Sequence, residues 1–155
     1  MRSRFLMELT TPEVEQYFSQ GGKTALFPIG SVEMHGPHQP IGTDTLVAKA
    51  FALSIAESVN GLVLPDFHYT WAGSTDGFVG TISVEPDLTQ KILESIAVKC
   101  KIMGFKNLIF LSVHAPNDFH LTSCVRRIFE KHLYPVMFIN PYRPYNGLRK
   151  LDKIL

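Results

Sequence analysis

Asn107-Leu108-Ile109-Phe110-Leu111-Ser112-Val113 is the stretch that decides the fold class. Its apolar run, Leu108 to Leu111, shows no polar alternation. A strand reads this way when both of its faces are buried, as in a parallel sheet packed between helices. Its flanks agree. Upstream, Pro86 opens a helix running to Met103, with Leu88, Ile92, Leu93, Ile96, Ala97 and Cys100 at core spacing and Gly104 in place to end it. Downstream, His114 to Asn117 form a turn, Asp118 caps a helix to about His132, and Pro135 to Ile139 read as another strand.

The same alternation continues toward the N-terminus. Thr11 reads as a cap, Pro12 as the first helical residue, and Gly21-Gly22 as the stop. Thr24 to Ile29 is a short buried strand in which Pro28 marks a sheet edge or a strand end. The loop from Gly30 to Thr43 is polar and rich in ionisable groups. A helix then starts near Asp44 or Thr45 and runs to about Ser58, with Leu46, Val47, Ala50, Phe51 and Ser54 as its apolar stripe. Leu62 to Leu64 give a strand, Asp66 to Gly80 a second long loop, and Thr81 to Val84 an extended segment. Strands separated by helices imply βαβ units. The expected fold is α/β, a three-layer α/β/α sandwich around a mostly parallel sheet, in a single domain over residues 1–155. Ligands of such sheets sit beyond the carboxyl ends of the strands. The loops after Ile29, Leu64 and Val113 all open there.

Charge excludes some functions. With 15 Lys+Arg against 14 Asp+Glu, the net charge of +1 gives no footprint for nucleic acid or an anionic membrane. The mildly basic stretch from Arg143 to Lys153 reads as a solvated tail. Cys100 and Cys124 fall in expected helices without zinc-knuckle spacing or a disulfide framework, so a reducing, cytoplasmic location is expected. Neither a secretory signal nor a run of membrane-spanning length is read in the sequence.

The chemistry concentrates in two places. Gly30-Ser31-Val32-Glu33-Met34-His35-Gly36-Pro37-His38 is followed by Gly42-Thr43-Asp44, and Ser112-Val113-His114-Ala115-Pro116-Asn117 closes the strongest strand. Glu33 and His35 are two apart, so an extended segment points them the same way. Carboxylate and imidazole suit zinc, manganese or iron. Asp44 near a helix start is favoured by the helix dipole. Each residue alone has an ordinary explanation: Asp44 as a cap, Glu33 as a surface carboxylate, a loop histidine as a local hydrogen bonder. Together they make a candidate metal site, provided the strands at 24–29 and 107–113 lie close. Spacing alone leaves both readings open.

The first cluster resembles the Gly-Ser-x-Glu-x-His-Gly-Pro-His…Gly-Thr-Asp stretch of the creatininase family of metal-dependent amidohydrolases. Gly77-Phe78-Val79-Gly80-Thr81-Ile82-Ser83 is similar to that family's Gly-Phe-Pro-Gly-Thr-Ile-Ser segment, and Leu111 to Asn117 to its Asn-Gly-His-Gly-Gly-Asn turn. The resemblance implies that Glu33 and His114 bind one divalent metal (Zn, Mn or Fe) and His35 a second, with Asp44 bridging. It implies hydrolysis of a non-peptide, cyclic amide-like C–N bond through a metal-activated water, with Glu33 and His38 as catalytic residues. A small-molecule amide substrate and a homo-oligomer are expected. His68 and Trp71, in the loop after Leu64, and Asn117 are the candidate substrate-binding residues.

Three departures temper that expectation. Pro116 stands where some members carry a metal-binding glutamate two residues after the histidine, and Pro116 cannot ligate. No later His-Ala-Gly-Glu stretch follows, and the chain is short at its C-terminal end. Thr75 stands near a place where many members have a histidine. With Glu33 and Asp44 as the only carboxylates, two divalent cations leave two charges uncompensated. One or two metals per chain are therefore expected, and a non-catalytic member that keeps the fold and binds a metal, small ligand or partner is the alternative.

Overall fold

The computed structural model describes residues 1–143; the basic stretch beyond Arg143 and the rest of the expected domain lie outside the described residues. Four strands, β1 (Thr24–Pro28), β2 (Gly61–Val63), β3 (Asn107–Leu111) and β4 (Val136–Ile139), form one sheet in the order β2-β1-β3-β4, and every pairing is parallel. Four helices alternate with them: α1 (Thr11–Ser19), α2 (Thr43–Ser58), α3 (Pro86–Met103) and α4 (Asn117–His132). This is the α/β architecture that the unbroken apolar strands predict.

The two faces are filled differently. On one, α1, α3 and α4 bury Tyr17, Leu93, Ala97, Leu121 and Ile128 against Ala25, Phe27, Leu108 and Phe110. On the other, α2 is the one helix among the described residues, with Ala48, Ala52 and Ala56 on Leu26, Val63 and Leu111. The larger stripe expected to face inward does not: Leu46 and Phe51 are exposed. Close approach decides this. A Cβ on Gly30 would lie 2.2 Å from Thr45 Oγ1 and 2.4 Å from the Thr45 Cα, so the start of α2 lies tight against the end of β1, and the helix turns Thr45, Ala48, Ala52 and Ala56 to the sheet. Leu88 and Ile92 of α3 are exposed as well, while Thr89, Gln90, Leu93, Ala97 and Cys100 face the core.

Element ends differ by a residue or so from the sequence reading. Thr10, not Thr11, caps α1, in a capping box with Glu13. Asp118 lies inside the first turn of α4, which starts at Asn117. Gly104 ends α3 with a φ of 119°, as expected of a glycine stop. Pro28 closes β1, a central strand rather than an edge; its carbonyl accepts from Phe67 N–H on the side where β2 has already ended. Residues 81–84 form no strand but are tied in by Ile82 N–H to Val32 O and Val84 N–H to Thr70 O.

Topology fixes where a ligand can bind. From β1 the chain leaves for α2 on one face, and from the neighbouring β3 it leaves for α4 on the other. The two loops part at the carboxyl ends of adjacent strands. A crevice opens there.

Candidate metal centre

Both ligand-bearing segments enter that crevice. After β1, Glu33 N–H donates to Ile41 O, which closes the loop and returns Asp44, in the first turn of α2, against Glu33. After β3, Ser112 N–H donates to Ile139 O and the chain delivers His114, which is 1% exposed. The His114 Nδ1 atom lies 2.8 Å from Glu33 Oε1 and 2.8 Å from Asp44 Oδ2. Each of the three residues offers one ligand atom, and those atoms lie within 4.8 Å of one another.

The protonation of this cluster follows from its contacts. His114 Nε2 is 2.9 Å from Trp71 O, so both ring nitrogens face acceptors. Burial alone pushes the imidazole down, but the bonds to Asp44, Glu33 and the Trp71 carbonyl outweigh it and raise its pKa to about 9. For Asp44, burial pushes up, and the bonds from His114 and Ser31 prevail and hold it at about 2. Without a cation, the His114 proton is what separates two carboxylates. The same three residues would hold a divalent cation in place of that proton: Nε2–H would keep its bond to Trp71 O, Nδ1 would offer its lone pair, and the two carboxylate charges would match the cation.

Several groups around the ligands hold them. The buried Ser31 hydroxyl donates to Asp44 Oδ2 at 2.9 Å and lies 3.4 Å from Glu33 Oε1. The Thr75 hydroxyl donates to Glu33 Oε2 at 2.5 Å. Thr70 Oγ1 donates to Gly30 O at 2.7 Å and Thr45 Oγ1 to Ser31 O at 3.2 Å, which fixes the loop after β1 from both sides.

The other expected residues are placed less uniformly. His35 stands beside the cluster: its Nε2 is 3.5 Å from Asp44 Oδ1, the oxygen turned away from His114, and its Nδ1 faces Glu33 O at 3.0 Å. His38 is exposed on the turn after Gly36, without a hydrogen bond or ion pair among the described residues. His68 is engaged elsewhere, 3.3 Å from Asp66, which also holds Lys49. Trp71 reaches the site through its carbonyl, while its partly exposed indole packs edge-on against His120. Asn117 is buried, and its amide N–H groups go to Ser112 Oγ at 3.1 Å and Gly30 O at 3.3 Å. With both N–H groups engaged, it clamps the two strand-end loops together.

Sequence reasoning missed Ser31, Thr75 and the Trp71 carbonyl as parts of the site. Ser31 had a signal: it is two residues before Glu33, hence on the same side of an extended segment. Thr75 is marked in the sequence only as standing near a place where many members of the resembled family have a histidine, which gives its hydroxyl no role, and for a main-chain carbonyl in an irregular loop no periodicity exists to point at it.

A parallel sheet carrying two carboxylates and an imidazole at the parting of its strand-end loops defines an α/β protein with a candidate metal site. Comparison narrows this further. The profile of the creatininase family, described as creatinine amidohydrolase, matches residues 7–151, and the chain belongs to that family. It is 27% identical over 122 residues to the creatinine amidohydrolase of Pseudomonas putida, a match covering 76% of this chain and 47% of that one. It is 40% identical over 106 residues to the mycofactocin precursor peptide peptidase of Mycolicibacterium smegmatis, covering 64% and 42%. Solved structures of a Zn-Zn type mutant creatininase (TM-score 0.83, 22% identity) and of a manganese creatininase (TM-score 0.82, 23% identity) share the fold. Each of those two matches covers 90% of this chain and 58% of the other. The chain spans a little under half the length of the curated relatives it matches.

Proposed function

We propose that this chain is a metal-dependent hydrolase of an amide C–N bond, with Glu33, Asp44 and His114 holding one divalent cation. The observation that carries the reading is the convergence of three ligand atoms within 4.8 Å at the crevice where ligands of this fold bind. Zinc and manganese are the favoured ions, since the donors suit them and related structures are zinc and manganese forms. Iron suits the same donors.

When bound, such a cation lowers the pKa of a water and polarises a carbonyl oxygen. The chain's own residues do the rest. Ser31 orients Asp44, and Trp71 O fixes the His114 tautomer. His35, 3.5 Å from the outer oxygen of Asp44, would take a proton or help hold a second cation. His38, exposed on its turn, is assigned the transfer of a proton to the leaving nitrogen, with Glu33 serving catalysis as a ligand. One cation per chain is favoured because His35 and Asp44 alone would make a poor second set.

The substrate proposed is a small amide; a peptide is the second reading. The peptide is favoured by the 40% identity to a peptide peptidase and by the exposed Ile41, Trp71, Phe78 and Val79 on the loops after β1 and β2. Candidate contacts are the Trp71 indole and, farther out, His68. Self-association is supported by the exposed apolar side chains Leu46 and Phe51 on α2 and Met137 on β4. No helix among the described residues is long and apolar enough to cross a membrane, and the free, buried thiols of Cys100 and Cys124 suit a reducing compartment such as the cytoplasm.

The test is turnover. Zinc- and manganese-loaded protein should hydrolyse at least one member of a panel of cyclic amides and short peptides, and His114→Ala should abolish it. Metal binding without turnover of any member would leave the non-catalytic alternative standing in place of the hydrolase.

A further inference from the structure

One short loop touches two of the three ligands. Within the 3-10 turn Gly73–Thr75 that follows β2, the Thr75 hydroxyl lies 2.5 Å from Glu33 Oε2 and 2.9 Å from Ala72 O. A hydroxyl has one proton to give, and a carboxylate is a stronger acceptor than an amide carbonyl. The proton therefore goes to Glu33 Oε2. The other oxygen, Oε1, faces His114 Nδ1 at 2.8 Å. The carboxylate is thus divided, one oxygen toward the ligand cluster and one held by Thr75. The loop cannot easily shift, because Ala72 N–H donates to Ser83 Oγ and Trp71 O accepts from His114 Nε2.

We propose that Thr75 is a positioning residue that restricts Glu33 to one-oxygen coordination, so that a cation held here keeps a coordination position open for water. This rests on the reading of Glu33, Asp44 and His114 as metal ligands. Without the hydroxyl, Oε2 is free to turn toward the cation, and the carboxylate loses the orientation that prepares it for binding.

Cobalt(II) is a suitable probe, because its visible bands report coordination number. Wild type, Thr75→Val and Thr75→Ser should be titrated with Co2+ against a chelating dye, and their spectra recorded at saturation. Thr75→Val should bind about 10- to 100-fold more weakly, as loss of an outer partner of a ligand does, and Thr75→Ser should stay within about threefold of wild type. At saturation the Thr75→Val bands should weaken toward a higher coordination number, while Thr75→Ser keeps the wild-type spectrum. Circular dichroism checks folding, and Thr75→Ala replaces the valine variant where that one does not fold. Hydroxyl-free protein with wild-type affinity, or with the wild-type spectrum at saturation, overturns the proposal. Wild type that fails to bind Co2+ overturns the metal reading itself, a separate result.

Discussion

Raising the pH of metal-free protein should destabilise it, and His114 sets both the window and the size of the effect. The His114 pKa is 6.5 in the unfolded chain and about 9 in the folded one. A folded pKa above the unfolded one means stability that is fully present below about pH 6.5 and lost as pH rises through about 9. At about 1.4 kcal/mol per pKa unit, the loss is on the order of 3 kcal/mol. The lowered carboxyl of Asp44 is the same contact seen from its partner, so it is counted once; its own loss falls in acid, through about pH 2. Urea denaturation after chelator treatment, followed by the fluorescence of the single tryptophan, Trp71, reads the effect directly. Measurements should stop near pH 9, because burial raises the thiols of Cys100 and Cys124 to about 11 and their unfolded forms ionise from about 9. His114→Gln is the control and should show little slope over that range. Stability that stays level or rises between pH 6.5 and 9 in the metal-free wild type would refute the assignment of a shared proton among His114, Glu33 and Asp44.

Other outcomes follow from the same contacts. Binding of Zn2+ at neutral pH should release close to one proton, the one on His114 Nδ1, measurable by calorimetry in two buffers of different ionisation enthalpy. Gly30→Ala should lower stability by roughly 2 kcal/mol or more in thermal melts, because its Cβ would fall 2.2 Å from Thr45 Oγ1 and push α2 from β1. Asn117→Ala should lower stability by about 1–3 kcal/mol through Gly30 O and Ser112, leaving KM for any substrate unchanged within about twofold. A large rise in KM with unchanged stability would instead support Asn117 as a substrate contact.

Much of this was legible in the sequence. The runs around Phe27 and Phe110 carry no polar residue that a solvent face would need, and that absence forces a two-sided sheet. Glu33, Asp44 and His114 were candidates because their loops follow such strands, and the resemblance to the creatininase family gave them their expected role; only the adjacency of β1 and β3 shows that they meet. The inward face of α2 was not legible. The stripe of Leu46, Val47, Ala50 and Phe51 is as regular as Ala48, Ala52 and Ala56 and carries the larger apolar side chains, so hydrophobicity favours the wrong set. What selects the alanines is Gly30 against Thr45, a contact between elements that no helical period encodes. The hold of Thr75 on Glu33 is of the same kind, spanning 42 residues between two irregular loops.

The central claim is that Glu33, Asp44 and His114 together bind a divalent cation, and elemental analysis with competitive titration tests it most directly. After loading with zinc or manganese and exhaustive dialysis, wild-type protein should retain about one ion per chain, whereas His114→Ala should retain almost none while keeping its circular dichroism spectrum. Metal-free wild type after loading, or equal retention in His114→Ala, would contradict the account.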